Sequence, residues 1–215
     1  MVTKKQQIST CFWVGQTHTK KRVLLILVLI SSIGTGCGTR SFTENEMYQR
    51  LKKAGITWNE SLKNYEGAYI LDISRSKVSN LWFLKGMPLT RLNLYDTPVS
   101  DLSPLCGMPL RDLFLNRTKV SDLTPLRRLP LELLVITETP VEDITPLKDL
   151  ALKWFYFDSK RVSIGVDVLR NMKSLQLING YPPSKFWPQY EALRKAERSM
   201  DNLLKTNKDQ RMLVN

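Results

Sequence analysis

Between residues 92 and 151 the chain writes nearly the same phrase three times, "LNLYDTPVSDLSPLCGMP", "LFLNRTKVSDLTPLRRLP" and "LVITETPVEDITPLKDLA", each 21 residues after the last. A fixed period of this length restricts the fold more than any other feature. A 21-residue unit is too small to bury an apolar face alone, and does so only by stacking on a neighbouring copy. Stepping by 21 from Leu71 meets Leu92, Leu113, Leu134 and Phe155, and stepping from Ile73 meets Leu94, Leu115, Ile136 and Phe157. Five further columns hold their apolar character, beginning at Val78, Leu81, Leu84, Met87 and Leu89. Seven apolar ladders per turn predict a solenoid.

Within each copy the L-x-L pair alternates in and out, the period of a short strand with one buried face. Thr97, Thr118 and Thr139, with Ser76 one turn earlier, follow the second strand residue by three. There the chain turns inward and backbone groups need partners, so each hydroxyl is expected to bond to the neighbouring coil. Ser103, Thr124 and Thr145 stand directly before Pro104, Pro125 and Pro146. A hydroxyl residue followed by proline reads as an N-cap and first helical position, placing a short helical turn on the outer side of every coil.

The pattern LxxLxLxxTxVSDLSPL resembles the bacterial leucine-rich repeats of internalin-like proteins, with Thr where many of those repeats carry Asn and 21 residues in place of the usual 22. The resemblance covers residues 66 to about 180. The tail "LQLINGYPPSKFW" is similar to the end of short leucine-rich-repeat proteins of bacterial envelopes. Such a resemblance implies an α/β solenoid with parallel strands on its concave face, short helical turns on its convex face, and a role in protein binding. Two copies depart from the pattern. The first has Trp82 and Phe83 in place of Ser/Thr-Pro, and the fifth has Lys160 in the threonine column and one inserted residue. End repeats face a cap instead of another coil, so these departures mark the two ends.

Helical segments flank the repeats. "FTENEMYQRLKKAG" has Thr43 and Glu46 at capping-box spacing, with Met47, Tyr48, Leu51 and Ala54 along one face and Gly55 as a stop. It is expected to cap the first coil. Beyond "LQL", Phe186 and Trp187 are expected to plug the other end, followed by a helix with Tyr190, Leu193, Ala196, Met200 and Leu204 along one stripe. The expected i, i+4 pairs are Glu191 with Lys195 and Asp201 with Lys205. The stripe is expected to pack on its own solenoid, with recruitment of a partner helix as the alternative.

The first 22 residues contain no acidic side chain, and "VLLILVLI" (residues 23–30) runs into the small residues "SSIGTGC". A basic stretch, an apolar run too short for a comfortable span of roughly 20 residues, and a small-residue cleavage site make residues 1–36 an expected signal peptide. "IGTGC" resembles the lipobox of bacterial lipoproteins, which implies lipidation of Cys37 and attachment to the outer membrane or cell surface. Gly34 departs from the aliphatic residue usual there, and Gly34 with Gly36 also fits ordinary signal peptidase, so secretion, a periplasmic location or an uncleaved anchor stays open. The expected organisation is then a linker and capping helix over 37–65, the solenoid over 66–180 in about five repeats, and a C-terminal cap and helix over 181–215.

The chain carries 32 basic and 20 acidic residues; without the five leader cations the balance is 27 to 20, a net of +7. A basic exported protein favours anionic partners such as acidic polymers or lipid headgroups, and export argues against nucleic acid. The sole histidine, His18, lies in the leader, so the remainder lacks a His for a nucleophilic triad or a zinc site. No cofactor motif appears. Asp101, Asp122 and Asp143 form a repeat column beside the capping residues, a structural pattern; an enzyme working with carboxylates alone, such as a glycosidase, stays open.

Function is therefore expected on the concave strand face. The side chains flanking the buried pair there are Ile70, Arg91, Asp112, Leu133 and Trp154 in one column, then Asp72, Asn93, Phe114, Val135 and Tyr156, then Ser74, Tyr95, Asn116, Thr137 and Asp158. Both of the first two columns turn from polar to apolar along the coil. Phe114, Leu133, Val135, Trp154 and Tyr156, joined by Tyr95 and Arg91, form the candidate binding surface for a protein ligand. A structural envelope component that associates with peptidoglycan or anionic lipid is the other reading. Whether the C-terminal helix covers this face is open at the level of sequence.

Overall fold

The computed structural model describes residues 42–56, 62–65 and 68–212, with side chains described up to residue 203 apart from residue 65. The signal segment 1–36, Cys37 and Lys205 of the expected Asp201 pair lie outside that description.

Seven strands form one sheet in strict chain order. β1 (Leu62–Tyr65) runs antiparallel to β2 (Ala68–Asp72). From β2 onward every neighbour is parallel: β3 (Leu89–Asn93), β4 (Asp112–Phe114), β5 (Leu133–Val135), β6 (Trp154–Tyr156) and β7 (Leu177–Ile178). The register follows the repeat, with Leu92 beside Leu113, Leu113 beside Leu134 and Leu134 beside Phe155. Opposite the strands, each of four coils turns through a single 3-10 segment: Trp82–Leu84, Ser103–Leu105, Thr124–Leu126 and Thr145–Leu147. In the next coil the short helix α2 (Asp167–Asn171) takes that place. This is a leucine-rich-repeat solenoid.

The apolar ladders make its core. Leu92, Leu94, Leu105, Leu113, Leu115, Leu126, Leu134 and Leu147 are all sealed from solvent. A fully buried side chain of this size contributes roughly 1.5–3 kcal/mol relative to exposure, so the stacking of identical columns is what stabilises coils too small to fold alone. Both ends of the stack are closed. At the N-terminal end α1 (Glu44–Lys53) carries the reciprocal Thr43–Glu46 capping box and buries Met47 and Leu51. The Glu44 carboxylate accepts hydrogen bonds from the Tyr69 hydroxyl and the Asn64 amide, both at 3.2 Å, tying α1 to the first hairpin. At the other end α3 (Pro183–Met212) begins before the expected plug, so Phe186 and Trp187 lie within its first turns. Phe186 is buried, with its ring 6.0 Å from Phe157, which itself stacks on Phe155 at 5.1 Å.

Four expectations are corrected by this arrangement. The buried threonines do not reach the neighbouring coil: Thr97, Thr118 and Thr139 donate to Leu94, Leu115 and Ile136 of their own turns, at 2.8, 2.6 and 2.6 Å. The reason is distance along the chain, since three residues close a local ring without crossing to the next coil. Nor do Ser103, Thr124 and Thr145 act as caps. Their backbone N–H groups donate to Asp101, Asp122 and Asp143 at 2.8, 2.8 and 2.7 Å, because a carboxylate two residues earlier reaches the free N–H first. Asn80 does the same for Trp82 in the first coil. The turns they cap are 3-10, each only three residues long and closed by i to i+3 bonds.

The third and fourth corrections concern α3. Of its expected apolar stripe, Tyr190 packs against the core, but Leu193, Ala196 and Met200 stand exposed, Leu193 and Met200 at 38% and 63%. The helix is fixed by Phe186, Trp187 and Tyr190, whose rings cluster at 5.2–5.9 Å, and its later turns leave the coil with their apolar side facing out. Glu191 does not pair with Lys195 either. It bonds across to Arg170 of α2, because a planar guanidinium with several N–H donors makes a stronger charge-assisted bond than an exposed ammonium one turn away.

Candidate binding face

On β4, β5 and β6 the middle residue is buried and both neighbours are half-buried, so the outer residues of each strand stand on the concave face. The register then assembles the patch. Leu133 lies beside Trp154, and Phe114, Val135 and Tyr156 form a row across three strands. These five apolar side chains are contiguous because a parallel strand pair sets equivalent residues side by side, and the 21-residue step makes them equivalent. Among the described residues, none of the ring contacts of α3 involves Trp154 or Tyr156.

The rim of the patch is charged and internally paired. Arg91 forms an ion pair with Asp112 on the next strand, with Nε 2.7 Å from Oδ2. Below it, Glu132 accepts from Lys153 at 2.7 Å and from Arg111 at 3.1 Å, so one carboxylate bridges cations from the coils before and after it. Hydrogen bonding from Lys153 draws the Glu132 carboxyl below the usual glutamate range; partial burial opposes this and the Lys153 and Arg111 charges assist it. Asp72 is also held low: burial pushes it up, but hydrogen bonds from Ser74 and then Asn93 outweigh that, with Lys63 adding its charge. Ion pairs this exposed are worth about 0–1 kcal/mol, so their effect is chiefly to fix side-chain positions. Between Ile70 and Trp154 this paired rim encloses a trough of about 590 Å³.

Two of the expected site residues are therefore engaged. Arg91 is half of an ion pair, and Tyr95 lies between Arg75 and Arg117, whose guanidinium carbons stand 5.4 and 5.8 Å from its ring centre. The Tyr95 hydroxyl also accepts from Arg117 at 3.1 Å, and Arg117 pairs with Glu138. Sequence reasoning missed Arg111, Glu132 and Lys153. They lie one residue before the first column and repeat at 21, a signal present in the text as alternating charge. It also missed the left-handed residues Arg75, Asp96, Arg117 and Glu138, with φ of 55–60°. Arg75, Arg117 and Glu138 are not types that favour this region, so only Asp96 carries a cue in its residue type. The stacked coils hold them there: the N–H groups of Arg75, Asp96 and Arg117 donate to Tyr95, Asn116 and Thr137 of the next coil, at 2.7, 3.0 and 3.2 Å.

No family model matches the chain, and no curated protein matches it. Among solved structures it is similar to two internalins of Listeria monocytogenes. With internalin inlF the identity is 24%, over 51% of this chain and 39% of that one, at a TM-score of 0.42. With internalin C2 it is 24%, over 50% and 59%, at a TM-score of 0.40. The chain thus spans less than two thirds of either internalin's length.

Proposed function

We propose that this chain is an interaction protein that captures a protein ligand on its concave face. The observation that carries the reading is the five-residue patch of Phe114, Leu133, Val135, Trp154 and Tyr156, which share the concave side of β4–β6 beside a fixed polar rim. Apolar anchors surrounded by ordered polar groups are the arrangement that dominates interface energies. Binding is favoured over catalysis because the repeated carboxylates Asp101, Asp122 and Asp143 hold turns on the convex side, engaged by backbone N–H groups. Turnover of a polysaccharide would overturn that part of the reading.

Export belongs to the same proposal, with residues 1–36 as signal peptide and Cys37 as lipidated anchor. Among the described residues no helix is long and apolar enough to cross a membrane, so attachment would rest on the acyl chains. Cys37→Ser then releases the protein from membranes or blocks its processing. Normal cleavage with unchanged membrane association at high salt would count against lipidation.

Crosslinking and mass spectrometry on the native membrane fraction identifies the ligand, and the double variant Phe114→Ala/Trp154→Ala tests the face. The expected loss of affinity is roughly 2 kcal/mol or more, about thirtyfold. Arg127→Ala/Lys148→Ala on the convex side is the control and alters at most the salt dependence. Unchanged capture by the aromatic variant would move the site elsewhere. Saturation without any discrete protein ligand would favour the structural envelope role.

A further inference from the structure

Beyond Tyr190 the C-terminal helix turns a charged face, not an apolar one, toward its own solenoid. Its apolar stripe of Leu193, Ala196, Met200 and Leu203 faces out, while Arg194, Lys195 and Arg198 look across a cleft at the Ser163–Arg170 segment. The cleft holds about 540 Å³, enough for a small polar ligand. Like-charged side chains facing a protein wall at close spacing repel one another, so the arrangement asks for compensation.

Compensation within the chain is incomplete. Arg170, stacked on Trp187 at 4.1 Å, engages both carboxylates of the lining, hydrogen-bonding Glu191 and standing 3.7 Å from Asp167. Arg194 pairs with Glu197 at 3.2 Å. Lys195 and Arg198, one turn apart on the same wall, have no carboxylate partner among the described residues. Counting these groups together, Arg170, Arg194, Lys195 and Arg198 against Asp167, Glu191 and Glu197 leave one positive charge in excess. The ring of Trp187 and the side chain of Tyr190 give the same cleft an apolar wall.

We infer that this cleft is a second binding site, separate from the concave face, which takes a phosphodiester: the single negative charge is held by Lys195 and Arg198 and the esterified group rests toward Trp187. Arginine and lysine are the side chains that recognise phosphate, Arg through paired donors and Lys as a point charge. A diester matches the excess of one where a dianionic monoester overshoots it. The diester could belong to a free small molecule or to the headgroup of an anionic phospholipid.

The soluble probe is glycerophosphoglycerol, titrated into the full chain at about 150 mM salt and followed by phosphorus NMR line broadening. Saturable binding is expected, at least tenfold tighter than for glycerol 3-phosphate after allowing for salt. Lys195→Ala/Arg198→Ala is expected to weaken it at least tenfold, and Lys195→Gln/Arg198→Gln likewise, with unchanged circular dichroism. Arg127→Ala/Lys148→Ala removes the same charge from the convex side and is expected to leave it within twofold. Sedimentation with phosphatidylglycerol vesicles, using Cys37→Ser to remove any acyl anchor, separates the sources: binding to both probes assigns the headgroup, and binding to the soluble probe alone assigns a free ester. Absence of saturable binding to the soluble probe would overturn the inference, and so would an equal loss in both double variants, which would mean diffuse charge attraction.

Discussion

At the scale of the residue, each coil is held by the same few contacts, and substitutions at one copy read out all of them. Leu115 is fully buried in a stacked column, so Leu115→Asp puts a charge where no partner exists. The expected cost is roughly 4 kcal/mol or more, seen as a fall in Tm of at least about 10 °C; a shift of a degree or two would contradict the stacked ladder. Thr118 keeps its backbone bond to the Leu115 carbonyl when its hydroxyl is removed, so Thr118→Val is expected to cost only about 1 kcal/mol in urea unfolding. Asp122 caps its turn through the Thr124 N–H. Asp122→Ala is expected to cost about 1 kcal/mol and Asp122→Asn less, since an amide oxygen accepts the same bond.

At the scale of the element, the two end helices close the stack by different means and fail differently. α1 lays Met47 and Leu51 on the first coil under a capping box, whereas α3 inserts one ring, Phe186, against Phe157 and projects beyond it. Phe186→Ala is therefore expected to cost about 3–5 kcal/mol and to loosen the last coil first, which hydrogen exchange at β6 and β7 would register. The exposed stripe makes the opposite prediction. Leu193→Glu/Met200→Glu should change stability by no more than about 0.5 kcal/mol at each site; a larger loss in chemical unfolding would mean that this face is packed against the protein. The alternation of strand residues and the helix cap were legible in the sequence, because both depend on neighbours within a few positions. The direction in which α3 leaves the solenoid was not, since a single aromatic cluster decides it.

At the scale of the molecule, the strand and 3-10 contacts among the described residues run between adjacent coils, so stability is a sum of repeat and interface terms and unfolding is expected to spread from a damaged coil. The carboxylates on its surface tie that stability to pH. Asp101 is held below the ordinary aspartate range by the Ser103 hydroxyl and N–H, and Asp72 and Glu132 are low for the reasons above. A carboxylate whose folded pKa is depressed contributes stability that is present above its unfolded value and lost as pH falls through the folded one. Tm is thus expected to hold steady from pH 7 to 5 and to drop below about pH 4. Glu132→Gln should flatten part of that drop, because its contribution no longer titrates.

By itself the sequence determined the solenoid, its 21-residue register and the columns of its core, because an apolar side chain repeated at fixed spacing has one way to leave water, against its own copy in the next coil. It also determined which residues share the concave face: strand alternation and period together place Phe114, Val135 and Tyr156 in one row. Only the tertiary structure decided who satisfies the polar groups. The Asp column, not the Ser/Thr-Pro residues, caps the turns; the threonines bond within their own coils; Tyr95 is enclosed by two arginines; and Arg170 takes the carboxylate that helical spacing had assigned to Lys195. The Arg170–Glu191 and Arg117–Tyr95 bonds depend on distances between residues 21 and 22 apart in the chain, and the Asp and Thr bonds, though local, depend on the turn geometry that stacking fixes. Such distances exist only once the coils are stacked.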